Sequence, residues 1–409
     1  MPLVLRRGAA GRVLPQVVRE TKAGAVRWNR RYDAAGVGID KALKERLRAD
    51  GVEVASDNGT LLAEPFAVTK GDGGPFKVFT PFWKAAREVL GTPRQPLPRP
   101  RNLDGWTGTC RSERLGDWAL QPKTPDWAGG MAACWTPGEA GARERLSDFL
   151  EERLAGYKAK RDEPAAEVTS RLSPHLAFGE ISPGVIWHAA NARREDAGDA
   201  AVDKFLSEVG WREFSYALLW QFPALHTENF NPRFDRFPWR SDTAHLEAWR
   251  RGRTGYPIVD AGMRELWHEG WMHNRVRMVV ASFLVKHLLI DWREGEAWFW
   301  DTLVDADPAN NAASWQWVAG SGADAAPYFR IFNPVLQGEK FDGRGGYVRK
   351  WVPELAKLPD KYLMKPWEAP RGVLKDAGVT LGRDYPDPIV DHDAARDRAL
   401  AAFARIKDG

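Results

Sequence analysis

The sequence predicts an α/β plus all-α protein: a small parallel α/β unit followed by a much larger helical domain. Three observations lead there. Short β-rich pieces alternate with helical ones up to residue 91. The stretch Thr92 to Arg101, TPRQPLPRPR, is Pro-rich and reads as extended backbone. From Thr136 onward helical periodicity dominates. At 409 residues and 45.9 kDa the chain can bury roughly three quarters of its open-chain surface, so its core needs no covalent staples.

Taken in order, Ala25-Val26-Arg27-Trp28 reads as a strand. Ile39, Leu43 and Leu47 recur at helical spacing with charges between them, and Gly51-Val52-Glu53-Val54-Ala55 reads as a second strand. This βαβ rhythm implies a parallel sheet, with fewer strands than a doubly wound sheet usually has. A linker, 92–135, leads to Thr136-Pro137-Gly138-Glu139. That tetrad predicts an N-cap Thr, Pro at the first helical position and Glu at the third. Leu146, Phe149, Leu150 and Leu154 form the stripe behind it, and further helices are predicted over 201–221, 257–269, 272–289, 294–304 and 308–318. The predicted division is 1–91, 92–135, 136–370 and a C-terminal segment 371–409.

Composition excludes several classes. With 44% hydrophobic and 28% charged residues the chain is neither disordered nor fibrous. Cys110 and Cys134 form no CxxC pair, which excludes a zinc ribbon and a disulfide scaffold and points to a reducing compartment. The most apolar run, Met278 to Val285, is bounded by Arg277 and Lys286 and is far too short to span a bilayer. The opening residues lack a signal-peptide pattern, so the expected place is the cytoplasm, with no membrane partner. Net charge is +4, but residues 1–101 hold 19 Lys and Arg against 10 Asp and Glu, so the larger part is net acidic. A nucleic-acid site there needs a local basic patch. GxGxxG, GxxxxGKS, HExxH and GxSxG are all absent. Trp is the commonest aromatic residue, 20 against 8 Tyr, enough for stacking surfaces or an electron route as well as core.

Four constellations stand out. Glu208, Trp211, Arg212 and Ser215 fall on one helix face, which is either a solvated ion-pair face or a polar site. Asn274, Arg277 and Met278 share a face at the helix start that follows Gly270, where free N–H groups beside Arg275 and Arg277 suit a phosphate. His273 alone has no metal-spaced partner. Asp307-Pro308 predicts a helix N-cap, with Asp305, Asn310 and Asn311 crowded beside Trp315 and Trp317. The run Thr169-Ser170-Arg171-Leu172-Ser173 is either a capped turn or a phosphate cradle.

Together these residues resemble the DNA photolyase and cryptochrome family, most closely its bacterial class I enzymes acting on cyclobutane pyrimidine dimers. The resemblance is carried by WREF (211–214), TGYPIVDAGMRELWHEGWMHNRVRM (254–278) and DADPANNAASWQWVAGSGADAAPYFRIFNP (305–334). It implies a truncated N-terminal parallel α/β, Rossmann-like domain followed by a large helical domain that binds FAD and DNA. Tyr157, Thr169, Ser170, Arg171, Leu172 and Ser173 match the family's flavin phosphate and ribityl contacts. Arg277, Asp305, Ala306, Asp307 and Asn311 match residues around the isoalloxazine, with Asn311 where photolyases place an amide near the flavin N5. Glu208, Trp211, Asn274, Met278 and Trp317 match contacts to a flipped-out dimer, joined by Arg212, Arg275 and Arg330 on the DNA side. Trp315, Trp292 and Trp239 match the family's electron-transfer chain.

The implied reaction is light-driven electron donation from reduced FAD to a pyrimidine dimer in UV-damaged DNA, with Glu208 stabilising the charge that develops, by a monomer. A cryptochrome-type blue-light receptor that binds FAD without repair is the alternative; Asn311 favours repair, because the family's receptors carry Asp or Cys there. A helical DNA-binding module is the non-enzymatic alternative. The resemblance starts inside the family's N-terminal domain, so Met1 is expected to enter near a later strand. Residues 29–36 resemble the antenna-side loop, but Ala35 and Gly36 stand where folate-binding members carry Asn and Glu. The antenna chromophore, methenyltetrahydrofolate or a deazaflavin or flavin, is therefore open between present and absent.

Overall fold

Strands β1 (Ala25–Asn29) and β2 (Glu53–Asp57) pair in parallel, in a register running from Ala25 opposite Glu53 to Asn29 opposite Asp57. The computed structural model describes residues 3–98, 100–102, 105–325 and 329–407. Arg99 of the Pro-rich stretch and Ala326, Pro327 and Tyr328 of the third motif lie outside them. Helix α1 (Ala10–Thr21) precedes the strands and α2 (Ala34–Ala49) connects them. Val18, Leu47 and Val54 make the small core between helices and sheet. Of the predicted α2 stripe, Leu43 and Leu47 are buried while Ile39 is 41% exposed, because a two-stranded sheet covers only a narrow face of the helix.

Helix α3 (Phe79–Leu90) joins this unit to the helical part. Phe79 stacks on Trp211 at 3.9 Å between ring centroids, and Phe82 meets Phe214 at 5.1 Å. Between them and residue 135 the described chain holds a single 3-10 turn, Leu115–Trp118, and the short α4 (Gly129–Cys134). The helices that follow are α5 (Glu139–Asp148), α6 (Leu154–Lys160), α7 (Ser173–Ala177), α8 (Pro183–Asn191) and α9 (Arg194–Ala197). Next come α10 (Asp199–Gln221), α11 (Thr243–Arg250), α12 (Pro257–Glu269), α13 (Asn274–Ser282), α14 (Trp292–Thr302) and α15 (Pro308–Ala319). The chain closes with α16 (Pro334–Phe341), α17 (Gly346–Trp351), α18 (Asp360–Leu363), α19 (Arg371–Ala377) and α20 (His392–Lys407).

Two terminus predictions are corrected. Thr136 is not the cap of α5: Gly138, at φ +102°, occupies that position with no side-chain cap bond, so Pro137 precedes the helix. A backbone turn at positive φ favours glycine and displaces the capping box by two residues. The helix start expected at residue 272, just after Gly270, falls two residues later: Gly270 terminates α12 at φ +64°, and α13 begins at Asn274, after His273, whose Nδ1 accepts the Arg275 N–H at 3.2 Å. Asp307 caps α15 as predicted, accepting from Ala309 and Asn310.

The largest core cluster joins helices α12 to α15 and α17 around Trp249, Phe283, Trp292 and Tyr385. Within it Gly295 permits a close approach, since a Cβ there would overlap the ring of Trp315. Asp260, fully buried, accepts from Thr254 N and Oγ1, each at 2.7 Å, from Gly255 N at 3.1 Å and from the Tyr385 hydroxyl at 2.6 Å. The TGYPIVD motif thereby anchors the C-terminal segment, because four donors meet a carboxylate that burial alone would expel. Among the described residues no helix is long and apolar enough to cross a membrane.

Candidate functional site

A cavity of about 540 Å³ opens between α10, α13, α15 and the loop ahead of α7. Helix α10 supplies one wall: Glu208, Trp211, Arg212 and Ser215 line the cavity together with Phe205 and Val209, while Val202 and Leu206 pack into the core behind them. The solvated-face alternative is thus excluded: Arg212 and Ser215 are buried and all four residues line the cavity. Opposite stand Asn274, Arg277 and Met278, one turn apart on α13. Asp305, Ala306 and Asp307 come from the loop before α15 and its cap, and Asn311, Trp315 and Trp317 from α15 itself. Tyr157 and the run Thr169 to Ser173 complete the lining.

Burial grades across this set. Tyr157, Leu172, Asp305, Asp307, Asn311 and Trp315 are buried, whereas Asn274 is exposed and Glu208, Trp211, Met278 and Trp317 are half-buried. Of the residues matched to flavin contacts, Tyr157, Leu172, Asp305, Asp307 and Asn311 lie deep, Thr169, Ser170, Arg171, Arg277 and Ala306 are half-buried and Ser173 is exposed, while none of those matched to the dimer is buried. Arg275 and Arg330 fall outside the lining: Arg275 pairs with Asp162 at 3.0 Å and covers the Phe341 ring, while Arg330 edges a small cavity beside Trp317.

The inner residues are tightly held. Arg277 pairs with Asp305 Oδ2 at 2.8 Å, leaving Asp305 Oδ1 buried with no hydrogen bond. Asn311 Nδ2 donates to the Glu296 carbonyl at 3.0 Å and to its carboxylate at 2.9 Å, and burial raises the Glu296 carboxyl above its usual range. Trp315 meets Phe299 at 5.0 Å and Trp249 at 6.2 Å. Trp292 and Trp239 do not line the cavity. Trp292 is buried one turn before Gly295, the contact point of Trp315, and Trp239 packs half-buried on Phe237 at 4.4 Å.

Arg171, at φ +52°, is followed by Leu172 in the right-handed helical region, and the N–H groups of Ser170, Arg171 and Leu172 donate to no carbonyl among the described residues. Such a paired left- and right-handed turn is a concave anion cradle. The Arg171 guanidinium lies between Trp135 at 4.9 Å and Trp271 at 4.4 Å and pairs with Glu269. Trp135 itself donates to the Glu269 carbonyl at 2.7 Å.

At the mouth, Glu208 pairs with Arg161 and, at 2.8 Å, with Lys204. Arg212 donates to the Thr60 carbonyl at 2.7 Å and leaves Nη2 buried without a partner. Sequence reading missed Arg161, Trp135, Glu296 and Tyr216; each reaches the site from far along the chain or from a helix face with no distinguishing pattern. Lys204 could have been found, since it stands four residues before Glu208 on one helix.

These features fit FAD. The orphaned Asp305 Oδ1 calls for an N–H donor such as a flavin ring carries, and the cradle at 170–172 together with the unpartnered Arg171 Nε calls for anionic oxygens.

Comparison with known proteins agrees. The family model described as the FAD binding domain of DNA photolyase matches residues 205–405, and that described as DNA photolyase matches residues 1–101. A deoxyribodipyrimidine photo-lyase of Agrobacterium fabrum is 57% identical over 405 residues, covering 99% of this chain and 84% of the relative. Cryptochrome-2 of Arabidopsis thaliana is 39% identical over 96% of this chain and 66% of its own length. The crystal structure of a bacterial class III photolyase from Agrobacterium tumefaciens superposes with a TM-score of 0.96 at 56% identity, covering all of this chain and 84% of that one. That structure is a class III photolyase, where the sequence reading expected likeness to class I. Residues 205–405 form an FAD-binding domain of the photolyase kind. The chain thus belongs to the DNA photolyase and cryptochrome family.

Proposed function

We propose that the chain is a class III deoxyribodipyrimidine photo-lyase that repairs cyclobutane pyrimidine dimers in DNA under blue light, with FAD as its cofactor. The observation that carries this reading is one cavity with a deep polar set and a wider mouth edged by two indoles, an amide and a carboxylate. The class is proposed from the likeness to the 56% identical class III structure.

In this reading Tyr157 and residues 169–173 hold the flavin's phosphates and ribityl chain. Arg277, Asp305, Ala306, Asp307 and Asn311 surround the ring system. When bound, FAD would supply the light-driven one-electron chemistry that splits the dimer. Trp211 and Trp317 flank the extruded dimer with flat apolar faces, which suits a damaged pair that is already poorly stacked. Trp211 is stiffened for this by Phe79 behind it. Asn274 and Glu208 hydrogen-bond base edges, and Met278 packs against them. Glu208 is oriented by Arg161 and Lys204 and stabilises charge developing on the dimer without moving a proton. Arg212, Arg275 and Arg330 serve the DNA side by positioning phosphates. Trp315, Trp292 and Trp239 form the route by which the flavin is reduced, supported by the contact of Trp315 with the helix that carries Trp292.

The reading divides the chain into an antenna-type unit 1–91, a linker 92–135, the catalytic domain 136–370 and a trailing segment 371–409. It describes a monomer of the cytoplasm, consistent with two unpaired cysteines.

The test is an oligonucleotide carrying one thymine dimer, incubated with flavin-reduced protein under blue light and in darkness. Intact thymines recovered only in light support the reading. FAD binding without recovery favours the receptor alternative, which the 39% identity to a plant cryptochrome keeps in play. Failure to hold FAD overturns both.

A further inference from the structure

We infer that Tyr216 is a positioning residue of the flavin cavity, holding Asp307 from outside and tying its geometry to the N-terminal α/β unit. The inference rests on the FAD reading above. Tyr216 does not line the cavity, yet its hydroxyl donates to Asp307 Oδ2 at 2.7 Å across 91 positions of sequence.

Asp307 has two oxygens with different tasks. Oδ1 accepts from Ala309 N at 3.0 Å, Asn310 N at 2.8 Å and Asn310 Nδ2 at 2.9 Å, so its lone pairs are used in capping α15. Among the described residues Oδ2 has Tyr216 as its one donor, and it keeps capacity for a second. A donor arriving from the cavity must therefore use Oδ2, at an angle that the Tyr216 hydroxyl sets. Without that hydroxyl the carboxylate is held on one side only, by its cap.

Tyr216 is itself placed by the α/β unit. Arg212 lies over its ring at 4.9 Å while donating to the Thr60 carbonyl at 2.7 Å. The Tyr32 ring meets it edge-on at 5.8 Å, and the Tyr32 hydroxyl donates to Glu64 at 3.0 Å. Glu213, next to Arg212, accepts the N–H groups of Leu62 and Ala63 at 2.9 and 3.1 Å. Residues 32 and 60–64 thus fix the Tyr216 ring, Tyr216 fixes Asp307, and Asp307 faces the flavin. Burial keeps the phenol protonated, so it remains a donor across the working pH range.

The experiment uses the full chain as Tyr216→Phe, Asp307→Asn and the double variant. Tyr216→Phe keeps both ring contacts, and circular dichroism establishes that each variant is folded. The readouts are FAD affinity by equilibrium dialysis and the absorption band shape of bound flavin. Expected is a loss of about tenfold in FAD affinity for Tyr216→Phe, the size of one hydrogen bond to a charged group. A shifted band is expected with it, and the double variant should bind no worse than Asp307→Asn alone. Wild-type affinity and band in Tyr216→Phe, or additive losses in the double variant, would overturn the inference while leaving the FAD reading intact. A wild-type chain that binds no FAD would overturn both.

Discussion

Replacing Glu213 by Gln should abolish a pH dependence of stability that the wild-type chain carries. Glu213 is 4% exposed in the middle of α10, and burial pushes its carboxyl from 4.5 up to about 7, against the lowering effect of Arg212 and of two backbone donors. The folded protein therefore holds a proton there that the unfolded chain has released. Stability from this group is present below pH 4.5 and is lost as pH rises through about 7. Integrating between those values gives about 2.5 kcal/mol lost from about pH 5 to about pH 8, or about 3 °C in thermal midpoint for a chain of this length. Gln stays neutral throughout. Its one carbonyl oxygen can accept both N–H groups, since both already go to Oε2. The assay is urea unfolding of wild type and variant at both pH values. Comparing the two proteins cancels the groups they share, including Glu265, which burial also raises to about 7. Parallel pH dependence in the two would refute the argument.

Three further outcomes follow from single contacts. Tyr385→Phe removes the 2.6 Å bond to buried Asp260 and should lower stability by about 1.5–3 kcal/mol in urea unfolding, loosening the C-terminal segment; an unchanged midpoint would count against that anchor. Gly255→Ala meets both a φ of +81° and the Asp387 carbonyl, so a cost above about 1 kcal/mol and poorer folded yield are expected, measured by the same unfolding. Glu208→Ala, at the mouth, should weaken dimer binding or repair about tenfold while FAD content stays at the wild-type level; equal loss of FAD would place Glu208 in the flavin set instead.

Much of the local structure was readable without coordinates because it depends on neighbours in sequence. Asp307-Pro308 encodes its own cap, the period of two at residues 25–28 encodes a strand, and the spacing of Glu208, Trp211, Arg212 and Ser215 encodes a shared face. Where local rules competed, they misled: Gly138 took the cap position from Thr136, since a glycine at positive φ turns the chain at less steric cost than any capping geometry built on Thr136. The family was legible in three long motifs, whereas the likeness to a class III rather than a class I enzyme emerged only from comparison over the whole chain.

What the amino-acid sequence determined by itself is the order of elements, the identity of the polar faces and the chemistry available on them. Only the tertiary structure decided that those faces converge on one cavity, that Arg161 orients Glu208, that Trp135 closes on Arg171, and that Tyr216 holds Asp307. The physical reason is distance along the chain. A helix face or a cap is set by residues within one turn of each other. The pairing of Tyr216 with Asp307 exists only once α10 and α15 are packed together, and no periodicity in either helix encodes the other.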